Sequence, residues 1–240
     1  MELDFKLDGV SALSKGIVLQ KSIEFDEAVR NGTTAVIAGR DGEVHMTDGT
    51  FKSRKGNALC YCADLNSVSE KMADVTAFLF GDEYGAAKYR KLSTDDVYYW
   101  QAYAQSAGAL SERMRRLNVF NISFICKPYR YLFSGDEEII PENGGIITNP
   151  TGFSSAPEIY VTISGAGTVT VNGTTYSIAA YDTAIDAVID CESLDFRGLD
   201  GTNLNGLFGR TFPRFGIGEN TISWADNVAV TAIIPHWRTL

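Results

Sequence analysis

One short stretch in the second half of the chain, TVTVNGTTYSI at residues 168–178, does most to limit how this sequence can fold. Two runs of alternating apolar and polar residues flank Asn172 and Gly173, a pair that tolerates the positive φ angles of a type I′ turn. Period-two alternation places Val169 and Val171 on the same face of a strand. The stretch therefore predicts a β-hairpin with one buried face.

The same pattern continues through the rest of the second half. Alternating segments at residues 183–190 and 220–237 are separated by turn residues, without an intervening helical periodicity. Many short strands at this spacing predict a β-sandwich of about 110 residues, which we place at residues 132–240. The apolar positions of the last segment alternate strictly: Val228, Val230, Ala232 and Ile234.

The first half, residues 1–131, is predicted to contain strands and one helix. Residues 34–46 predict a hairpin that turns at residues 39–42, where two glycines stand. Residues 97–105 form an aromatic-rich candidate strand. Residues 117–128 alternate in the same way, and the proline at position 128 is expected to end that strand.

The predicted helix covers residues 67–81. Ser67 is a suitable N-cap, Glu70 completes a capping box, and Gly81 supplies the stop. Apolar residues recur at helical spacing and form one face; packing on the strands of its own domain is expected ahead of the alternative, packing on a neighbouring subunit. The face consists of Val68, Met72, Val75 and Leu79.

Charge is distributed very unevenly along the chain. Residues 1–130 hold 17 basic and 17 acidic residues, whereas residues 131–240 hold four arginines, no lysine and 13 acidic residues. The whole formal charge of −9 therefore lies in the second half, which indicates two domains with different surfaces. Neither half has the basic patch that a phosphate backbone requires, so a nucleic-acid partner is not expected.

Targeting signals are not expected either. No apolar run approaches the ~20 residues that span a bilayer, so we expect no membrane association. The first residues, MELDFKLDG, lack the basic start and apolar stretch of a signal peptide. We therefore expect assembly in a cytoplasm.

The cysteines and histidines do not suggest a metal site. The sequence has no C-x-x-C and no Cys/His spacing typical of zinc ligands, and its two histidines, His45 and His236, are far apart. His45 lies in an alternating strand, where a structural role is expected. We expect four buried thiols: Cys60, Cys62, Cys126 and Cys191.

Three polar segments contain residue types that occur in binding or catalytic sites. Residues 165–167 (Gly-x-Gly) lie between candidate strands with no following helix, so we expect a turn and not a nucleotide site. Residues 200–206 depart from calcium-loop spacing and predict a plain turn. Residues 135–138 (GDEE) predict a solvated charge run. We therefore expect no catalytic residue, no cofactor and no metal, and the chain is not expected to be an enzyme.

The last residues place His236, Trp237 and Arg238 side by side after Pro235. A proton shuttle, an aromatic ring and a cation together raise the possibility of an active-site edge. The proline ends the preceding alternation, however, which favours a terminal flap packed on the sandwich. We expect Trp237 to seal the end of the sandwich and Arg238 to pair with a nearby acid.

An ordered series of short motifs resembles the distal tail protein (Dit) family of long-tailed phages, mostly those of Gram-positive hosts. In the first half, residues 38–44 resemble its G-R-D-G turn, and residues 122–131 resemble its strand leading to a domain junction. Phe215 and Ile217 depart from the usual family residues, which changes packing more than function. The second-half motifs are Asn149-Pro150, Ser155-Ala156-Pro157, Gly165 to Gly167, Val171-Asn172-Gly173, Ile189-Asp190, Phe212-Pro213, Gly218, Asn220, Ile222, Trp224, Pro235, Trp237, Arg238 and Leu240.

The resemblance implies a structural role at the virion tail tip. It implies an N-terminal β-barrel with a helix, residues 1–131, that forms a homo-hexameric ring, and a galectin-like sandwich, residues 132–240, that points outward. The expected partners are the tail tube protein, a tail-associated lysin or tail fibre protein, and a receptor-binding protein. The second domain lacks an apparent insertion, which argues against direct host adsorption.

The sequence is compatible with three alternatives. A carbohydrate-binding module for host cell-wall recognition would use Trp224, Trp237 or Tyr160 as stacking rings. A wall hydrolase lacks any supporting motif. A ring protein of a phage-like particle has the same sequence pattern as one from a phage or prophage.

Overall fold

The computed structural model describes residues 3–62, 68–81, 89–107 and 119–240, with the backbone alone for residues 62 and 68–72. The chain divides into two compact units, Met1–Arg130 with Leu240, and Tyr131–Thr239. Within the described residues both units are built from strands, and one α-helix lies in the first. The prediction of a mainly β fold with a helix in the first half is confirmed.

The first unit is built on a curled, half-barrel sheet in which the order is β2-β1-β8-β9-β10-β7-β3, with β4 also beside β7. The helix α1 spans Val68–Phe80, and a 3-10 turn spans Leu13–Lys15. The strands are β1 (Lys6–Leu7), β2 (Val10–Ser11), β3 (Ile17–Leu19), β4 (Glu24–Phe25), β5 (Thr33–Val36), β6 (Glu43–Met46), β7 (Arg54–Cys62), β8 (Arg90–Ser93), β9 (Tyr98–Ala107) and β10 (Val119–Leu132), the last of which runs into the second unit.

The helix packs on this sheet, as its apolar face predicts. Val75 and Leu79 are buried in the same core as Phe5 and Phe124, whose rings meet edge to face at 5.8 Å. The predicted capping residue Ser67 and the side chains of the first helical turn lie outside the described residues. In the described part of the chain, no helix has the length and apolar character needed to cross a bilayer.

The prediction that Pro128 ends its strand is wrong. Strand β10 continues to Leu132. Its ladder with β7 ends where Cys126 pairs with Arg54, so the missing N–H of Pro128 removes no hydrogen bond to that neighbour.

The predicted hairpin at residues 34–46 is present as a sheet of its own. Strands β5 and β6 pair antiparallel from Thr33 with Met46 to Val36 with Glu43. Within the described residues neither strand joins the curled sheet.

The second unit contains a six-stranded sheet in which the order is β11-β16-β12-β14-β15, with β13 beside β12. The predicted type I′ hairpin is confirmed, since Val171 pairs with Thr174 across Asn172 and Gly173, whose φ angles are 50° and 76°. Two 3-10 turns span Phe133–Asp136 and Asn205–Leu207. The strands are β11 (Gly145–Asn149), β12 (Glu158–Val171), β13 (Thr174–Ile178), β14 (Ile185–Asp190), β15 (Asp195–Gly198), β16 (Gly218–Ile234) and β17 (Arg238–Thr239).

The predicted turn at residues 165–167 is also wrong, because β12 runs straight through it. The ladder between β12 and β16 shifts register here, between Ile163 and Gly167. A Cβ at Gly167 would approach the carbonyl oxygen of Ala225 to 2.7 Å, so this glycine permits close contact between two strands.

A second irregularity changes which residues of β16 face the core. Tyr160 pairs with Ala232 and Val161 pairs with Val230, which leaves Thr231 as a bulge. The bulge reverses the alternation, so Ile233 is fully buried where Ile234 was predicted. The prediction of a strict alternation throughout this segment is therefore wrong beyond the bulge at Thr231.

Three of the predicted buried thiols lie among the described side chains. Cys60, Cys126 and Cys191 are all buried. Burial raises the pKa of the Cys126 thiol to about 12 and that of Cys191 further still. Such thiols are inert packing groups and not nucleophiles at neutral pH.

Candidate functional site

The chain end, which carries the most suggestive residues of the sequence, is buried in the second unit. Trp237 is only 4% exposed, and its ring contacts that of Phe215 at a centroid distance of 5.8 Å. Arg238 is also buried, and its Nε donates to the carbonyl oxygen of Ser154 over 2.8 Å. Trp237 belongs to the hydrophobic core of this unit, and its predicted sealing role fits that place. The ion pair predicted for Arg238 stays a prediction.

The 3-10 turn after β10 holds this end in place. The backbone N–H of Leu132 donates to the carbonyl of Trp237 over 2.9 Å, and that of His236 donates to the carbonyl of Gly135 over 2.7 Å. Gly135 is buried, and a Cβ there would overlap the backbone nitrogen of Trp237. The backbones of the turn and of the chain end are therefore in direct contact, and only glycine fits at position 135.

His236 lies between two carboxylates. Its Nδ1 is 3.0 Å from Oδ1 of Asp136, and its Nε2 is 3.6 Å from Oε1 of Glu158. The imidazole is 19% exposed, and both carboxylates are similarly shielded. The residue also has a φ of 50°, in the left-handed region that non-glycine residues seldom adopt.

The charges of this triad reinforce one another. Desolvation by burial lowers the pKa of His236, but the contacts with Asp136 and Glu158 outweigh it and raise the pKa to about 9. Interaction with His236 in turn lowers the pKa of Glu158; burial opposes this, and a hydrogen bond from the Tyr160 hydroxyl adds to it. At neutral pH the arrangement is an imidazolium clamped by two carboxylates.

This triad corrects the prediction for residues 135–138. Glu137 and Glu138 are exposed, as a solvated charge run requires. Asp136 is instead half-buried and paired with His236, which lies 100 residues away in sequence. Pattern alone gave no signal for this partnership, because the two residues come together only in the folded sheet.

Asn220 is a second polar centre, and sequence reasoning gave it no role beyond motif matching. It is fully buried and accepts hydrogen bonds from Asn172 Nδ2 over 2.8 Å and from the Gly216 backbone over 2.6 Å. It donates to the carbonyl of Gly218 over 2.9 Å. One amide thus ties the β12–β13 hairpin to the turn before β16.

The loop at residues 200–206 is held in place by local hydrogen bonds and by core packing. In the 200–206 loop, Asp200 accepts a hydrogen bond from the Thr202 backbone, and Leu204 is buried in the core. Across the described residues, no group of three or more His, Cys, Asp or Glu side chains is arranged to hold a metal. Of the three rings considered for sugar stacking, Trp237 is buried, whereas Trp224 and Tyr160 are half-buried.

No protein-family model and no curated protein sequence matches the chain. Among solved structures, the fold is similar to that of the SPP1 Dit protein (gp 19.1), described as a paradigm of the hub adsorption apparatus in phages that infect Gram-positive bacteria. The TM-score is 0.70 at 12% identity, and the match covers 100% of both chains. The chain therefore has, from end to end, the fold of a Dit protein, the family that its motifs resemble.

Proposed function

We propose that this protein is the distal tail protein of a phage or prophage, a ring-forming hub at the virion tail tip. The observation that carries the proposal is the match to a Dit hub protein, which covers 100% of both chains at a TM-score of 0.70. The ordered motifs of the second half support it independently of the fold.

In this proposal the ring is a homo-hexamer formed by residues 1–131, and residues 132–240 form a galectin-like sandwich on its outside. A ring requires a heterologous interface that closes on itself. The balanced charge of the first half lets copies pack without like-charge repulsion. The acidic second halves would repel one another and favour an outward position.

The ring would join the tail tube protein to a tail-associated lysin or tail fibre protein, and receptor-binding proteins would dock on its outside. The buried triad supports a structural role over a catalytic one. An imidazolium held by two carboxylates lacks the free lone pair that a general base needs at neutral pH.

Light scattering coupled to size exclusion, at low and high salt, tests the ring. Six copies of the 26.2 kDa chain give a mass of about 157 kDa. We expect this mass at one or both salt concentrations, with annular particles by negative-stain electron microscopy. A monomer under all conditions would count against the proposal.

The carbohydrate-binding alternative is weakened because Trp237, one of its three candidate stacking rings, is buried in the core. A glycan array with the full chain would revive it if binding disappears on Trp224→Ala. A turbidity assay on host cell walls tests the hydrolase alternative in the same way, since lysis would contradict a purely structural role.

A further inference from the structure

Three strands of the second unit, β11, β13 and β15, lie at the edges of its sheet. Residues 202–208 return over two of these edges. The backbone N–H of Gly198, in β15, donates to the carbonyl of Thr202 over 2.8 Å, and Ile178, at the end of β13, forms a bridge to Phe208. The chain itself thus shields β15 and the end of β13.

The edge of β11 is open. β11 pairs with β16 on one side, and no backbone hydrogen bond joins its other side to any segment of the described chain. Thr221 of β16 forms hydrogen bonds with Asn172, on the side of β12, so its ladder partner Ile146 turns its N–H and C=O away from β16. Thr148, two residues further on, does the same. Four backbone groups of β11 therefore face a position where another strand fits.

Apolar side chains flank this open edge. Ile146, in the middle of β11, is 60% exposed, whereas Ile147 is buried in the core. Ile217 is also exposed, and it precedes Gly218, which pairs with Asn149 at the end of β11. Among the described residues, β13 and β15 carry no exposed large apolar side chain. Lysine and proline commonly protect natural edge strands, and β11 contains neither.

The residues around this edge are acidic. Residues 137–149 contain three glutamates and no basic residue, and β16 contains Glu219 and Asp226 and no basic residue. Glu219 pairs with Thr148 across the ladder, so its side chain lies on the face where Ile146 is exposed. Like-charge repulsion therefore opposes pairing of this edge with the same edge of a second copy. A segment that carries lysine or arginine is attracted instead.

We propose that β11 binds an extended, basic segment of another protein, which adds a seventh strand to the six-stranded sheet. The segment pairs with the free backbone groups of Ile146 and Thr148 and places an apolar side chain beside Ile146. Its lysine or arginine lies on the side of Glu219. Five residues of β11 at ~3.3 Å each give a contact line of about 17 Å, which a segment of about five to seven residues covers.

This inference goes beyond the proposed function, because it names a binding surface and the chemistry of its partner. The open edge belongs to the second unit, so it is available for testing whether the chain forms a ring or stays a monomer.

A synthetic peptide tests the edge on the full-length protein. The peptide alternates valine and threonine and has a lysine at each end; a control peptide has glutamate in place of both lysines. Hydrogen exchange read by mass spectrometry follows residues 145–149. Without peptide, the amides of Ile146 and Thr148 should exchange rapidly. The lysine peptide at about ten times its Kd should slow both about ten-fold, and the glutamate peptide should have little effect.

A proline at position 148 tests the backbone pairing. Thr148→Pro removes an N–H that points away from β16, so the ladder with β16 should survive. We expect this variant to bind the fluorescein-labelled lysine peptide at least about ten-fold more weakly by fluorescence anisotropy. Thr148→Val keeps the N–H and a β-branched side chain, so this matched control should bind like the parent.

A charge reversal tests the basic character of the partner. Glu219→Lys should weaken binding of the lysine peptide about five-fold, because it replaces attraction with repulsion beside the edge. Asp182→Lys is the matched control. It changes the net charge by the same amount at an exposed position between β13 and β14 and should leave the affinity close to that of the parent.

Several results would overturn the assignment. Failure of the native protein to bind the lysine peptide would do so, as would equal protection by both peptides. Slow exchange at residues 145–149 before any peptide is added would mean that another copy of the chain covers the edge. Equal weakening by Glu219→Lys and Asp182→Lys would make the charge effect a general one and would remove the argument for a basic partner.

The light-scattering mass of the same samples separates this inference from the proposed function. A ring that does not bind the lysine peptide overturns the strand-binding edge alone. A monomer whose residues 145–149 are protected by the lysine peptide overturns the proposed function alone.

Discussion

Replacing His236 with asparagine should remove most of the pH dependence of the second unit's stability at neutral to alkaline pH. Asparagine tolerates the positive φ of this position, so the change removes the charge without adding backbone strain. Its side chain keeps a donor near Asp136. The variant therefore isolates the contribution of the imidazolium.

The magnitude follows from the pKa of His236, which burial lowers but the contacts with Asp136 and Glu158 raise, from 6.5 to about 9 in all. Because the folded pKa is the higher one, the stabilisation is fully present below pH 6.5 and is lost as the pH rises through about 9. Protonation of His236 therefore contributes about 3 kcal/mol to the free energy of unfolding at pH 6 and almost nothing at pH 9.5.

Urea unfolding at pH 6 and pH 9.5 measures this difference. In a Trp100→Phe background the two remaining tryptophans, Trp224 and Trp237, both report on the second unit. Between the two pH values the protein with His236 should lose about 3 kcal/mol more than the His236→Asn variant, which should start lower. His45→Asn, at the exposed second histidine, is the control and should behave like the parent.

An equal loss of stability in the parent and in His236→Asn would refute the reasoning, because the pH dependence would then come from other groups. A variant that is as stable as the parent at pH 6 would refute it as well, since the triad would then contribute nothing net.

Two further predictions concern the same chain end. Trp237→Ala should destabilise the second unit by about 3–5 kcal/mol in the same urea assay, because it empties a core position; unchanged stability would contradict the burial of the ring. Gly135→Ala should destabilise it by about 1–3 kcal/mol, because the new Cβ overlaps the Trp237 backbone, whereas Gly152→Ala, with open space around it, should be close to neutral.

Local pattern predicted the elements that depend on local chemistry. The hairpin at Asn172 and Gly173 follows from the φ angles that these residues accept, and the helix follows from a 3.6-residue period whose buried members include Val75 and Leu79. Such elements are decided within a few residues of sequence, so a single chain is enough to find them.

The errors arose where long strands meet. The sequence predicts a turn at Gly167 because it stands between two candidate strands with no helix after it, yet it lies within β12, opposite a close backbone neighbour. Because of the bulge at Thr231, Ile233 is buried in the core in place of Ile234. The register depends on how two strands pair, so the sequence of one strand does not determine it.

The triad at the chain end shows how residues that suggest catalysis in the sequence can pair with one another in the fold. A histidine beside one carboxylate keeps its second nitrogen available and serves as a base near neutral pH. In this protein Asp136 occupies one nitrogen of His236 and Glu158 faces the other, so each carboxylate that orients the ring also raises its pKa. His236, the strongest catalytic candidate in the sequence, is therefore protonated at neutral pH. It adds a positive charge to the half of the chain that holds 13 acidic residues and only four arginines. Its position between the 3-10 turn and β12 lets it fasten the chain end to both elements.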